Sequence, residues 1–166
     1  MKFNKILLIA SLAMALSNAK ALENDFEQPI YIEADNATFD EKKGESTYTG
    51  KVQVTQGSMR LNSDRLVVYT QDQKADKIIA TGNPVRFRQT PEEGKKEIKG
   101  KSQRAEFYAT QSRIILLDKA VVWQGKNTTT SDRIEYDYKN AIVKASKKSA
   151  DSKRVHVTLQ PKKREK

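Results

Sequence analysis

Apolar and polar residues alternate with period two in short runs along this chain: Ile30-Tyr31-Ile32, Val52-Gln53-Val54, Val85-Arg86-Phe87, Ile134-Glu135-Tyr136 and Val155-His156-Val157. Successive side chains of an extended strand point to opposite faces, so each run predicts a strand with one apolar and one wet face. From Ile30 onward no stretch carries the 3.6-residue period of a helix, and β-branched residues and glycines fall throughout, against helical propensity. Turn signals lie at Asp40-Glu41-Lys42-Lys43-Gly44, Gln56-Gly57-Ser58, Gly82-Asn83-Pro84, Pro91-Glu92-Glu93-Gly94 and Tyr138-Lys139-Asn140. Short strands punctuated this often predict an all-β sandwich or barrel.

The chain also repeats itself. Ile32-Glu33-Ala34-Asp35-Asn36, Leu61-Asn62-Ser63-Asp64-Arg65, Gly100-Lys101-Ser102-Gln103-Arg104 and Thr129-Thr130-Ser131-Asp132-Arg133 share a small-then-polar centre, stepping by 29, 39 and 29 residues from Asp35 to Asp132. A second landmark follows each of the first three: Gly50-Lys51-Val52, Gly82-Asn83-Pro84-Val85 and Asp118-Lys119-Ala120-Val121. A strand pair with its turn is thus the repeated unit, and stacking such units buries a face that no single one could bury.

Composition narrows the chemistry. The 166 residues contain no Cys and one His, which removes disulfides, thiolate nucleophiles and multi-histidine metal centres; no cofactor or metal is expected. Lys2 and Lys5, the uncharged run Ile6 to Leu16 and the Ala19-Lys20-Ala21 ending read as a secretory leader, with cleavage expected after Ala21 and Ala19 as the alternative. An uncharged run of eleven residues falls short of the roughly 20 that span a bilayer. The expected organisation is therefore a leader over residues 1–21, one β-domain over 22–161 and a basic disordered tail over 162–166. The net charge of +10 becomes +7 without the leader's three lysines. Positive faces attract phosphates, but these cations interleave with apolar residues or fill turns, as on a solvated outer face. With export, nucleic acid is not an expected partner.

Ser63-Asp64 and Ser131-Asp132 invite comparison with a hydrolase, but the single imidazole, His156, alternates with Val155 and Val157 near the chain end. A Ser-His-Asp triad needs one convergent base. Because these Ser-Asp pairs recur with the repeat, their expected role is to bond the backbone at strand bends, and no catalytic residue is assigned. A second apolar possibility carries more function. The strand faces place Ile30, Ile32, Val54, Leu66 and Val85 on one side of a wound sheet. Phe87, Phe107, Leu117, Trp123 and Tyr136 are expected on the same side. Such a face is either a closed core or the lining of an apolar ligand site.

The runs Gln28-Pro29-Ile30-Tyr31-Ile32-Glu33-Ala34-Asp35, Tyr48-Thr49-Gly50-Lys51-Val52-Gln53-Val54-Thr55-Gln56-Gly57, Leu61-Asn62-Ser63-Asp64 and Gly82-Asn83-Pro84-Val85-Arg86-Phe87 resemble the LptA family of periplasmic lipopolysaccharide-transport proteins, with its OstA-type domain. The resemblance spans about Glu27 to Pro161 and departs from the family at Asp118, where a Gly would match better. It implies an open-ended, V-shaped β-jellyroll of antiparallel strands in the periplasm. It also implies that lipopolysaccharide, through its lipid A acyl chains, lies in the apolar groove, with contacts at Ile30, Ile32, Phe87 and Phe107. Subunits would join head to tail as a homo-oligomer between an inner-membrane transporter complex containing LptC and the outer-membrane LptD translocon. An open sheet leaves unpaired edges that must be covered or used, and an edge-to-edge contact that does not close gives filaments. Gln28, Pro29, Tyr31 and Glu33 at one end, and Val155, Val157 and Leu159 at the other, are the expected partner edges. A scaffold of this fold that carries no lipid, and a membrane-tethered LptC-like component, are the alternatives.

Overall fold

The computed structural model describes residues 25–72, 74–90, 96–137, 140, 142–147, 149 and 154–161. The expected leader and the 162–166 tail lie outside them. A 3-10 turn, Asp25–Glu27, precedes ten strands: β1 (Ile30–Glu33), β2 (Asn36–Asp40), β3 (Glu45–Gln56), β4 (Met59–Gln71), β5 (Lys74–Gln89), β6 (Ile98–Tyr108), β7 (Arg113–Gln124), β8 (Asn127–Asp137), β9 (Ile142–Ser146) and β10 (His156–Thr158). All pairing is antiparallel, in the order β1-β3-β4-β5-β6-β7-β8-β10, with β2 also on β3 and β9 also on β8. The all-β reading holds, and no α-helix occurs among the described residues.

Strand length is where the structure departs from the expected short strands. The alternating runs fuse pairwise into strands of 11 to 16 residues, each bent near its middle. Register shifts mark the bends between Thr49 and Val52, Asn62 and Arg65, Thr81 and Val85, Lys101 and Arg104, and Leu117 and Ala120. Gly82-Asn83-Pro84 is therefore no turn between strands but the bend inside β5. Extra residues in one strand of a pair bend it and raise its twist. Aligned across five neighbouring pairings, the bends crease the whole sheet along one line.

The crease yields two half-sheets that share the long strands. The lower half carries β1 and β10 at its margins, the upper half β2 and β9. The landmarks of the internal repeat fall on the crease. At two of them the backbone turns left-handed, at Gly50 and Lys51 (φ 84° and 46°) and at Asp118 and Lys119 (φ 61° and 56°). Gly at position 50 is enforced twice over, since a Cβ there would also lie 2.5 Å from Asp35 Oδ2. The expectation that the polar repeat residues bond the backbone holds in part: Asp64 Oδ2 accepts the Asn83 N–H at 3.1 Å, Ser102 Oγ donates to the Arg104 carbonyl at 2.8 Å, and Ser131 Oγ donates to the Ser146 carbonyl at 2.6 Å, whereas Ser63 Oγ and Asp132 Oδ2 are buried without a hydrogen-bond partner among the described residues.

The tightest packing sits at the crease. Val52, Leu66, Val85 and Ala120 have at most 1% of their surface exposed, and Ala80, Leu116 and Ile134 pack beside them. Burying such side chains contributes roughly 1.5–3 kcal/mol each for those of Val, Leu or Ile size. The crease therefore holds the two halves at a fixed relation.

Candidate functional site

Between the inner faces of the halves runs a groove of about 370 Å³, within the ~300–1,000 Å³ typical of ligand sites. Inward rows follow directly from the register. Across the lower half they run Ile32, Val54, Leu61, Phe87, Gly100, Val122, Thr129, Val157. Across the upper half one row runs Val68, Ile78, Phe107, Ile114, Tyr136, Val143, and the next Leu66, Ala80, Ala105, Leu116, Ile134. Ala80 and Ala105 stand side by side on the upper wall next to the crease, where their small side chains form part of the floor of the groove. On the opposite wall Gly100 serves the Phe87 ring, because a Cβ at position 100 would overlap Phe87 Cε1.

Six of the ten expected lipid contacts, Ile30, Val54, Leu66, Phe87, Phe107 and Tyr136, border this groove, five of them half-buried and Leu66 fully buried beneath its floor. Ile32 lies on the inward row and packs against the core without bordering the cavity, and Val85, 1% exposed, is sealed into the crease. Leu117 and Trp123 require correction. Leu117 pairs with Arg104 and Arg133 on the outer face, and Trp123 borders a shallow depression on the outside of the lower half. Their neighbours Leu116 and Val122 line the groove instead. The continuous runs Ile114-Ile115-Leu116-Leu117 and Val121-Val122-Trp123 carry no period-two signal, and a shift of one residue exchanges the faces of a strand. Met59, Ile78 and Ile98 were also missed as lining residues; Met59 and Ile98 open their strands, where too little alternation surrounds them, and Ile78 sits in the unbroken apolar run Ile78-Ile79-Ala80.

The mouth of the groove is polar. Asp25, on the 3-10 turn, accepts hydrogen bonds from Ser58 N–H and Oγ, both at 2.6 Å, and from Gln89 Nε2 at 2.7 Å. Burial pushes the Asp25 carboxyl up, but these bonds and the nearby Arg60 charge outweigh it and hold the group below its ordinary range. The turn is thereby tied to the β3–β4 turn and to the end of β5. Arg60 and Arg88 complete this rim.

The outer face of the upper half is a charge lattice. Glu106 accepts hydrogen bonds from Arg104 Nε and Tyr108 Oη, each at 2.6 Å, and Glu135 accepts one from Arg133 Nη2 at 2.7 Å and forms an ion pair with Arg113 Nη1 at 3.6 Å. Burial raises the Glu106 carboxyl, yet the Tyr108 and Arg104 bonds and the charges of Arg104 and Lys77 carry it below its ordinary value. For Glu135 the Arg133 hydrogen bond leads, opposed by burial and aided by Arg113 and other cations, with the same downward result. His156 pairs with Thr130 in register, one residue from the inward Ser131 and on the other face. The serines at the crease therefore have no imidazole beside them.

Four strand margins are open at the ends of the sheet. β1 pairs with β3 alone and β10 with β8 alone, at the two positions expected from sequence. Tyr31 is 64% exposed, Val157 56% and Leu159 71%, with Pro29, Glu33 and Val155 also exposed. Gln28 is half-buried, its carbonyl accepting Gln56 Nε2 at 3.0 Å, so it serves the sheet rather than a free edge. The upper margins β2 and β9, with exposed Phe39, Ile142 and Val143, were not anticipated. Their alternation is too short to stand out.

Comparison with known proteins agrees with this geometry. LptH of Pseudomonas aeruginosa, a lipopolysaccharide export system protein, is 37% identical over 97% of each chain, and LptA of Escherichia coli K12 is 32% identical over 94% of this chain and 84% of that protein. A crystal structure of LptH, the LptA-homologous periplasmic component of the lipopolysaccharide transport device of Pseudomonas aeruginosa, superposes with a TM-score of 0.75 at 33% identity, covering 82% of this chain and 99% of the other. The model of the LptA/(LptD N-terminal domain) LPS transport protein family matches residues 31–142. By fold, by relatives and by family match over more than half its length, the chain belongs to the LptA/LptD N-terminal-domain family of lipopolysaccharide transport proteins.

Proposed function

We propose that this protein is a non-catalytic periplasmic carrier that holds the acyl chains of lipopolysaccharide in the groove and joins end to end with its own copies. The chain of subunits reaches from an inner-membrane transporter containing LptC to the outer-membrane LptD translocon. The observation that carries the reading is the groove itself: an apolar cleft lined from both half-sheets, with small side chains at Ala80 and Ala105. Each buried CH₂ contributes about 0.8 kcal/mol, so an acyl chain needs no specific partner in such a lining. Head-to-tail joining of the β1 and β2 end to the β9 and β10 end would pair all four open margins and continue the groove.

The test is photo-crosslinking in cells with a probe at Phe87, in the groove, and a control at Lys144, exposed on the outer face of β9. A lipopolysaccharide adduct at Phe87 and none at Lys144 is expected. A folded protein giving no adduct at Phe87 would overturn the lipid assignment in favour of a scaffold.

A further inference from the structure

The two half-sheets treat charge differently on their outer faces. On the upper half, acids and bases interleave and bond one another at Arg104–Glu106, Arg133–Glu135 and Arg113–Glu135. On the lower half the register sets Arg60 opposite Arg88, Arg88 opposite Lys99, and Arg86 opposite Lys101. Like charges directly opposite across a strand pair are destabilising, and here three such pairs share three adjacent strands. Compensation from described residues is small: Glu97 pairs with Lys99 at 2.8 Å, Asp25 lies near Arg60, and Arg60 Nη1 donates to the Gly57 and Met59 carbonyls. Arg86, Arg88 and Lys101 make no ion pair among the described residues, though Lys101 Nζ lies 5.7 Å from the Trp123 ring centroid.

These side chains border a shallow depression flanked by Trp123. Arg60 and Arg88 border both this depression and the groove. A molecule whose chains fill the groove thus has its polar end within reach of the cationic face. Guanidinium groups match phosphate oxygens two at a time, which relieves the repulsion that the protein leaves in place.

We propose that this lower outer face is a docking platform for a phosphate-bearing head group, that of the same lipid whose chains enter the groove. The inference rests on the lipid-carrier reading and deepens it: the groove takes any acyl chain, and the platform selects for phosphate.

The chain's single Trp lies on the platform and reports on it by fluorescence. The full mature chain is titrated with diphosphoryl lipid A, monophosphoryl lipid A and a zwitterionic phospholipid, each in neutral detergent micelles, and separately with a fluorescent fatty acid. Wild type is compared with the Arg86→Gln/Arg88→Gln/Lys101→Gln variant, whose urea midpoint should not fall, since repulsion is removed. Wild type is expected to prefer the diphosphoryl form by roughly ten-fold or more, with the preference weakening in salt. The variant should lose that preference and keep its fatty-acid affinity. Fatty acid failing to bind wild type would sink the groove reading. Fatty acid binding both proteins while the phosphate preference survives in the variant would sink the platform alone. An equal Trp123 response to inorganic phosphate would reduce the face to an adventitious anion site, and stronger competition by polyglutamate would reassign it to an acidic protein.

Discussion

The contact between Gly100 and Phe87 gives the groove a quantitative test. A Cβ at position 100 would overlap Phe87 Cε1 and lie 2.5 Å from Cζ, so Gly100→Ala must displace the ring. The ring is half-buried with open groove beside it and can swing inward, which puts the expected loss toward the low end of the ~1–3 kcal/mol range of overpacking. Phe87→Ala removes a ring that is not sealed in a core, so about 2 kcal/mol is expected in place of the ~3–5 kcal/mol of a fully buried Phe. With Phe87 already Ala, the three atoms that a Cβ at position 100 would meet first are gone, and the position needs no left-handed φ. There Gly100→Ala should stabilise by about 0.4–1 kcal/mol through the unfolded chain. The two substitutions are therefore non-additive by about 1.5–3 kcal/mol. Urea unfolding of the four proteins measures the coupling, and fatty-acid binding provides a second readout. Gly100→Ala should weaken binding by driving the ring into the groove, whereas in the Phe87→Ala background, itself weakened by loss of a lining ring, Gly100→Ala should weaken it no further. Additivity within about 0.5 kcal/mol would show that ring and glycine do not share the space assigned to them.

Two further outcomes follow from backbone and charge. Lys119 is exposed at φ 56°, so Lys119→Gly should stabilise by roughly 0.5–1 kcal/mol, read as a rise in Tm; no rise would mean that the bend in β7 is not strained there. Glu106 and Glu135 have folded pKa values below their ordinary ones. Their contribution is full above the unfolded value, about 4.3, and is lost as pH falls through the lower folded values. Urea midpoints should therefore drop as pH falls below about 4.3 and drop less in Glu106→Gln. An equal drop in both proteins would remove Glu106 from the cause.

What could be read from sequence tracks the strength of the local pattern. Clean alternation around Val52-Gln53-Val54 and Val85-Arg86-Phe87 gave the right faces, and the Ser-Asp repeats marked strand bends correctly. The bends also limit the reading. Inward residues keep their parity across the left-handed pairs of β3 and β7, from Tyr48 to Val52 and from Leu116 to Ala120, but change it in β5, from Ala80 to Val85, and in β8, from Ile134 to Ser131. Alternation therefore does not carry across a bend unless its length is known. In β7 two unbroken apolar runs flank the bend, which is why Leu117 and Trp123 came out on the wrong face. The cationic platform was hidden for a related reason: Arg60, Arg88 and Lys99 are far apart in sequence and meet only through register.

Creasing one sheet separates stability from binding along each strand. Near the crease the inward residues of both halves meet at close range, and Val52, Leu66, Val85 and Ala120 are sealed. Toward the mouth the same strands diverge and carry Ile30, Met59, Phe87, Ile98, Phe107 and Tyr136, each half-buried. Hydrophobic stabilisation scales with apolar area removed from water, so the crease side chains have already realised theirs in folding. Those at the mouth retain theirs for whatever enters. Truncation at the crease should therefore act first on unfolding and truncation at the mouth first on ligand affinity, a division absent from a closed sandwich core. Because each long strand crosses from one half to the other, the groove's walls cannot drift apart without breaking the crease. The site can thus be open along its length and still keep a defined width.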